Sequence, residues 1–69
     1  MTIYKLQRLD NNEWHKGRDR WINNEQQAKP YKQFNHASSV ITYFGYDKTD
    51  IRFKVVKYEL TAVDSKILN

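Results

Sequence analysis

The stretch FNHASSVITYFGYDKTDIRFKVVKYEL, residues 34–60, decides the fold. Its first half places apolar residues at the i, i+3, i+4 and i+7 spacing of an amphipathic helix: Ala37, Val40, Ile41 and Phe44. Asn35 is a favourable N-cap residue ahead of this stripe. Gly45 stands where a helix commonly ends in left-handed backbone. We therefore predict a short helix over about residues 36–44, capped by Asn35.

The same residues leave a second interpretation open. Residues 40–44, Val-Ile-Thr-Tyr-Phe, are β-branched and aromatic types that favour strands, and they could form a hairpin with the strand that follows. The match to the helical period and the signals at both ends favour the helix. Because its intrinsic helix propensity is low, tertiary packing has to stabilise it.

The second half of the stretch predicts a strand over residues 51–58. Ile51, Phe53 and Val55 share one face, because side chains alternate along a strand. The opposite face carries Arg52, Lys54, Val56 and Tyr58. We expect the apolar Ile51 face to pack beneath the helix.

The segments on either side predict further strands. Residues 2–16 fit a β-hairpin, with turn residues Asp and Asn at positions 10–12. Gly17 marks the next turn, and residues 20–22 suggest another short strand. Pro30 makes the segment around it extended, as a sheet edge or a connector over residues 28–32. Residues 60–69 show no clear period, so this end is expected to fray or to dock its last apolar residues on the body.

These elements predict one small α+β domain over residues 1–69. A small antiparallel sheet, built from the hairpin and further strands, would carry one short helix on one face, in the order ββ(β)αβ. A chain of 69 residues forms a marginal core, and its 14% aromatic content adds buried area per residue. It contains no cysteine, and no apolar run approaches the roughly 20 residues needed to cross a bilayer. We expect a cytoplasmic protein without a membrane partner.

The titratable and nucleophilic residues do not form a recognisable catalytic or metal-binding motif. His15 and His36 lack the ligand spacing of a zinc site, so we interpret them as surface or helix-start histidines. The serines lack a nucleophile-elbow or Ser-x-x-Lys context. The two glycines stand alone and cannot form a phosphate-binding loop. We therefore expect no enzyme, no metal and no cofactor.

Basic and aromatic residues alternate between positions 14 and 32. The chain has a net charge of +4, which suits solubility and also an anionic partner. Cations and rings together are typical of surfaces that bind single-stranded nucleic acid. The rings are equally typical of core anchors in a domain of this size. The candidate patch, including two cations of the later strand, is Trp14, Lys16, Arg18, Arg20, Trp21, Lys29, Tyr31, Lys32, Arg52 and Lys54.

Several short motifs follow one another in a recurring order: Trp21, then Ala-Lys-Pro-Tyr at residues 28–31, Asn-His-Ala at residues 35–37, and Lys-Tyr-Glu-Leu at residues 57–60. In this order the chain resembles small proteins encoded by phages and prophages of Gram-positive bacteria. The resemblance spans most of residues 3–60. It implies a phage accessory protein in bacterial cytoplasm, and it supplies no site residues.

Two functions are consistent with these features. The first is a non-enzymatic protein-interaction module that binds a host or phage protein, using an exposed sheet edge near residues 28–32. The alternative is a nucleic-acid-binding domain that uses the basic and aromatic patch of residues 14–32. The sequence leaves open whether the chain is a monomer or a homodimer.

Overall fold

Three strands, one helix and two further strands follow one another along the chain. The computed structural model describes residues 1–59 and 62–68. The elements are β1 (Ile3–Arg8), β2 (Trp14–Gly17), β3 (Arg20–Ile22), α1 (Phe34–Tyr43), β4 (Phe53–Tyr58) and β5 (Ala62–Leu68). Short 3₁₀ helices lie at Glu25–Gln27 and Tyr46–Lys48.

The strands form one antiparallel sheet in the order β3-β2-β1-β4-β5. The predicted α+β class, with one helix on an antiparallel sheet, is confirmed, and the observed element order is βββαββ. Leu68 packs against the core, as the docking alternative for residues 60–69 predicts, and residues 62–68 form a strand in place of a frayed tail. These residues pair with β4 from Phe53↔Leu68 to Tyr58↔Ala62. Residues 60, 61 and 69 lie outside the described residues.

The helix begins two residues earlier than the sequence predicts. Its N-cap position is Gln33, in extended backbone and without a side-chain capping bond, so the prediction of Asn35 as the cap is wrong. The early start brings Phe34 edge-to-face against Tyr4, with ring centroids 6.2 Å apart. At the other end Gly45 adopts a φ of 78°, which confirms the predicted left-handed termination.

The core lies between α1 and one face of the sheet. Its buried members are Leu6, Ala37, Val40, Phe53 and Val55, with Ile41 and Ile51 packed against them. The predicted apolar faces of the helix and of β4 are therefore the ones that meet. The Cα radius of gyration is 10.9 Å, close to the roughly 11 Å expected for a domain of this length. None of the described helices is long and apolar enough to span a membrane.

The extended segment of residues 28–31 fills the gap where β1 and β2 diverge. The Lys29 amide donates to the His15 carbonyl of β2 at 2.9 Å. Tyr31 and Tyr4 of β1 exchange two backbone hydrogen bonds at 2.7 and 2.8 Å. The connector prediction is correct. Its backbone bonds to β2 through Lys29 and to β1 through Tyr31, while Lys29, Pro30 and Lys32 are exposed.

Candidate functional site

The sheet has one face covered by α1, and we call the other its open face. Because side chains alternate along each strand, register assigns every strand residue to one face. Leu6 and Val55 are opposite each other on the helix side, so Gln7 and Lys54, also paired, belong to the open face. The open face carries Ile3, Lys5, Gln7, Trp14, Lys16, Arg20, Ile22, Lys54, Val56, Tyr58, Ser65 and Ile67.

One row of side chains crosses all five strands of the open face. Register aligns Ile22, Trp14, Gln7, Lys54 and Ile67, one residue from each strand. At the usual strand spacing this row spans about 19 Å. Ile67 at its far end is 53% exposed, and Trp14 is half-buried. We call these five residues the central row.

Gln7 fixes the middle of the central row. It is 9% exposed, and its side-chain amide donates to the Asn12 carbonyl in the β1–β2 turn at 3.1 Å. Asn12 itself has a φ of 61°, a backbone conformation that asparagine tolerates better than most residues. The buried glutamine therefore holds the turn against the sheet, and Trp14 beside it lies on a fixed backbone.

The open face is positively charged. Lys16 and Arg20 are exposed at its β2–β3 end, and Lys54 is half-buried in the central row. Within the part of the chain that the structure describes, none of the three side chains forms an ion pair. With Lys5, four cations belong to the open face, and none of the strand residues assigned to this face above is a carboxylate. This surface therefore attracts anionic groups.

One end of the open face is closed by the first 3₁₀ helix. Lys5 donates to the Glu25 carbonyl at 2.9 Å and lies 5.0 Å from the Tyr58 ring centroid. Tyr58 donates its hydroxyl to the Glu25 carboxylate at 2.6 Å. Burial, and then this bond, raise the pKa of Tyr58 above its ordinary range. Lys5 and Tyr58 thus stabilise the fold, and the accessible part of the face is its cationic β2–β3 end together with the central row, apart from the buried Gln7.

The structure divides the predicted patch between two layers. It brings Trp14, Lys16, Arg20 and Lys54 together on the open face. The other predicted rings, Trp21 and Tyr31, pack against the core on the helix side. The remaining cations lie outside the open face or at its border: Arg18 in the β2–β3 turn, Lys29 against the Tyr31 ring, Lys32 just before α1 and Arg52 just before β4.

Trp21 serves the core rather than a binding surface. Its indole nitrogen donates to the Tyr46 hydroxyl at 3.1 Å, and its ring centroid lies 5.9 Å from that of Phe53. The Arg8 guanidinium covers the indole at 5.2 Å. The two tryptophans therefore have opposite roles, because β2–β3 register places Trp21 opposite His15 and Trp14 opposite Ile22.

His15 is buried, so its interpretation as a surface histidine is wrong. It is 1% exposed and lies between the rings of Trp21 and Tyr31. Its Nε2 donates to the Arg18 carbonyl at 2.6 Å, which leaves Nδ1 to accept from the Tyr31 hydroxyl at 2.6 Å. Burial lowers the pKa of His15, and Lys29 lowers it further against the opposing effect of the Arg18 carbonyl. The neutral ring is thus committed to two structural hydrogen bonds.

His36 is exposed in the first turn of α1, as expected of a helix-start histidine. Within residues 1–59 and 62–68 the structure shows no group of three side chains of the types that bind metals.

No protein-family model, curated protein or solved structure matches the chain.

The helix side of the sheet also contains a cavity that the sequence did not predict. Its volume is about 300 Å³, and it lies where α1 leaves β5 uncovered. Its lining residues are Tyr4, Phe34, Val55, Lys57, Asp64, Ser65 and Lys66. Lys66 lies 5.6 Å over the Phe34 ring. Sequence reasoning missed this site because it depends on β5, whose polar centre gives no strand period.

Proposed function

We propose that this chain is a non-enzymatic protein-interaction module whose open face binds an acidic surface of a host or phage protein. The resemblance of its motifs supports the setting of a phage accessory protein in bacterial cytoplasm. The observation that carries the proposal is that α1 covers only one face of the sheet. The other face keeps a tryptophan and an exposed Ile67 in line, beside the cations Lys16, Arg20 and Lys54.

The composition of the open face suits a protein interface. Tryptophan and arginine are enriched among residues that dominate binding energy, especially where an apolar centre has a polar rim. Here Trp14 and Ile22 are neighbours, and Lys16 and Arg20 flank them on the same two strands. Since the strand residues assigned to this face include four cations and no carboxylate, two copies of this face would repel each other. Charge therefore favours a partner with acidic groups.

The non-enzymatic part of the proposal rests on how the buried and half-buried polar groups are used. His15 holds two structural hydrogen bonds, and its ring is enclosed by aromatic neighbours. Tyr58 and Glu25 are bonded to each other. These groups stabilise the fold and are not presented to a substrate.

Affinity capture with matched variants tests the proposal. Tagged wild-type chain is incubated with lysate of the source cells, and captured proteins are quantified by mass spectrometry. We expect one partner to be captured in an amount at least tenfold lower by Trp14→Ala than by the wild-type chain. The double variant Lys16→Glu/Arg20→Glu should reduce capture of the same partner by a similar factor. The controls are Tyr43→Ala, which removes a ring 82% exposed on the helix, and Lys48→Glu, which reverses an exposed cation away from the open face.

The controls decide between binding and folding effects. Circular dichroism melts establish that each variant is folded. A partner retained by both open-face variants, or lost equally with Tyr43→Ala and Lys48→Glu, would contradict the proposal. The charge-reversal pair keeps the test informative if Trp14→Ala reduces stability.

A second candidate function is binding of single-stranded nucleic acid on the same face. It is favoured by Trp14, whose ring can stack on a base while Lys16 and Arg20 meet phosphates. Fluorescence anisotropy with mixed-sequence DNA and RNA oligonucleotides at about 50 and 200 mM salt tests this function. If this function holds, oligonucleotide binding should weaken steeply as the salt concentration rises, and the double variant Lys16→Glu/Arg20→Glu should abolish the binding. Absence of binding at the lower salt concentration would exclude it.

A further inference from the structure

The described sheet ends in two edges of very different length. β3 forms one edge with three residues, next to a register shift between His15 and Gly17. β5 forms the other edge with seven residues. An edge strand leaves half of its backbone donors and acceptors without a sheet partner, and a long one can accept a further strand. β5 is therefore the edge at which the sheet can grow.

The centre of β5 is self-complementary in charge. Asp64, Ser65 and Lys66 are all exposed, and the serine has an acid on one side and a base on the other. If two copies of β5 pair antiparallel about a two-fold axis at Ser65, residue i lies opposite residue 130 − i. Asp64 of each copy then lies opposite Lys66 of the other. Opposite charges at directly paired positions stabilise a strand pair.

We propose that β5 pairs with β5 of a second copy of this chain, antiparallel and centred on Ser65. The charges select this register over its neighbours. Because paired residues must share a face, the two-fold axis must pass through a residue and not between two residues. The nearest alternative positions of the axis are therefore Asp64 and Lys66. An axis at Asp64 would bring two aspartates together, and an axis at Lys66 would bring two lysines together. Ser65 is the one position among the three that avoids a like-charge pair.

The local geometry of β5 limits where the regular pairing lies. Lys57 pairs with Asp64 and Tyr58 with residue 62, so residue 63 has no direct partner on β4 and forms a bulge. Bulges bend a strand and interrupt its ladder. The regular inter-copy pairing is therefore centred on residues 64–66 of each chain.

The pairing has two structural consequences. A two-fold axis perpendicular to the sheet keeps both helices on one side and both open faces on the other. The sheet becomes ten-stranded, and the dimer presents two cationic surfaces in the same direction. The two cavities bordered by Asp64, Ser65 and Lys66 come to lie next to each other across the axis. The proposal holds whichever ligand the open face binds.

Disulfide trapping tests the pairing directly. The chain has no cysteine, so Ser65→Cys introduces a single thiol at the proposed axis. Directly opposed residues of antiparallel strands have Cβ atoms about 4.5–5.5 Å apart, near the range of disulfides. Under mild oxidation we expect Ser65→Cys to form a covalent dimer at least tenfold faster than Ser39→Cys, an exposed control on the helix. Equal rates would overturn the proposal.

Charge reversal provides an independent test by sedimentation velocity over a concentration series. Wild-type chain is expected to show a monomer–dimer equilibrium. Asp64→Lys alone, or Lys66→Asp alone, creates two like-charge pairs by symmetry and should weaken dimerisation about tenfold. The double variant Asp64→Lys/Lys66→Asp should restore it, with thermal melts confirming that each variant is folded. A wild-type chain that stays monomeric at every concentration, or a double variant no better than either single one, would refute the pairing.

Discussion

At the scale of single residues, His15 explains how a short chain stabilises the side of its sheet that α1 does not fully cover. Its ring stacks on Tyr31 at a 14° interplanar angle and meets Trp21 edge-on. The pattern of apolar residues did not predict the burial of His15, because a histidine between a tryptophan and a lysine fits an exposed polar position equally well. The residue is buried because the extended segment of residues 28–31 brings the Tyr31 hydroxyl within 2.6 Å of Nδ1.

The bond between Tyr31 and His15 gives the first prediction. Tyr31→Phe keeps the stacked ring but leaves the buried Nδ1 of His15 without a donor. The free energy of unfolding should fall by about 1–3 kcal/mol, as expected for a buried polar atom left unpaired. Urea unfolding followed by circular dichroism measures it. Tyr43→Phe is the matched control, because its ring is 82% exposed, and a loss equal to that of Tyr31→Phe would contradict the assignment.

The pH dependence of stability gives the second prediction. Burial lowers the pKa of His15 below its ordinary value of 6.5, so below that pH the unfolded chain binds a proton that the folded chain resists. Stability should therefore be unaffected by this group above about pH 7. It should fall as the pH decreases below 6.5, by at most ~1.4 kcal/mol per pH unit, until the folded ring is protonated.

Urea unfolding at several pH values between about 5 and 7.5 checks this slope. His15→Gln should reduce this slope. If His15→Gln does not fold, the imidazole resonances of the native chain report the same pKa by nuclear magnetic resonance. A His15 ring that titrates at or above its ordinary pKa would disprove the prediction.

At the scale of elements, the helix shows which sequence signals were sufficient. The spacing of Ala37, Val40 and Ile41 and the left-handed Gly45 identified its buried face and its end. The start was misplaced because Asn35 is a good cap by residue type. Phe34 lies three residues before Ala37 and extends the apolar stripe. Because Phe34 packs against Tyr4, the helix begins at Phe34 and its N-cap position is Gln33.

The N-cap gives the third prediction. Gln33 has extended backbone, with φ −135° and ψ 144°, and makes no side-chain capping bond. Gln33→Ser should therefore raise the free energy of unfolding by about 1 kcal/mol, since a serine hydroxyl can accept from an unpaired amide of the first turn. Thermal and urea melts measure the change.

The matched control for this prediction is Asn35→Ala, at an exposed position inside the first turn, because alanine cannot cap a helix whereas serine would replace asparagine as a cap. It should not reduce stability, since alanine is the better helix former inside a helix. A loss of stability at residue 35, together with no gain at residue 33, would place the cap at Asn35 instead.

β5 and the hairpin register show what the sequence could not supply at this scale. β5 has no apolar alternation at its centre, where the residues are Asp64, Ser65 and Lys66, so the sequence does not predict a strand there. The strand forms through backbone pairing with β4. The positions of Trp14 and Trp21 on opposite faces depend on the register shift before Gly17. A one-residue change in register would exchange the faces, and local sequence does not fix it.

At the scale of the whole molecule, the layer arrangement determines what the protein can do. Seven apolar side chains are buried among the described residues, and the single helix α1 covers one face of the sheet only. The sequence predicted this two-layer class and four of the residues that share the open face. It could not predict that the other rings of the patch would be used to complete the core.

The central claim is that the open face is the binding surface. The most direct test is to compare the backbone amide chemical shifts of the chain, measured by nuclear magnetic resonance, with and without ligand. The ligand is the captured partner protein, or the mixed-sequence oligonucleotide if nucleic acid binds. We predict that the largest shifts occur at the central row: Ile22, Trp14, Gln7, Lys54 and Ile67. Shifts concentrated on the exposed side of α1, around Tyr43, with the central row unchanged would contradict the account.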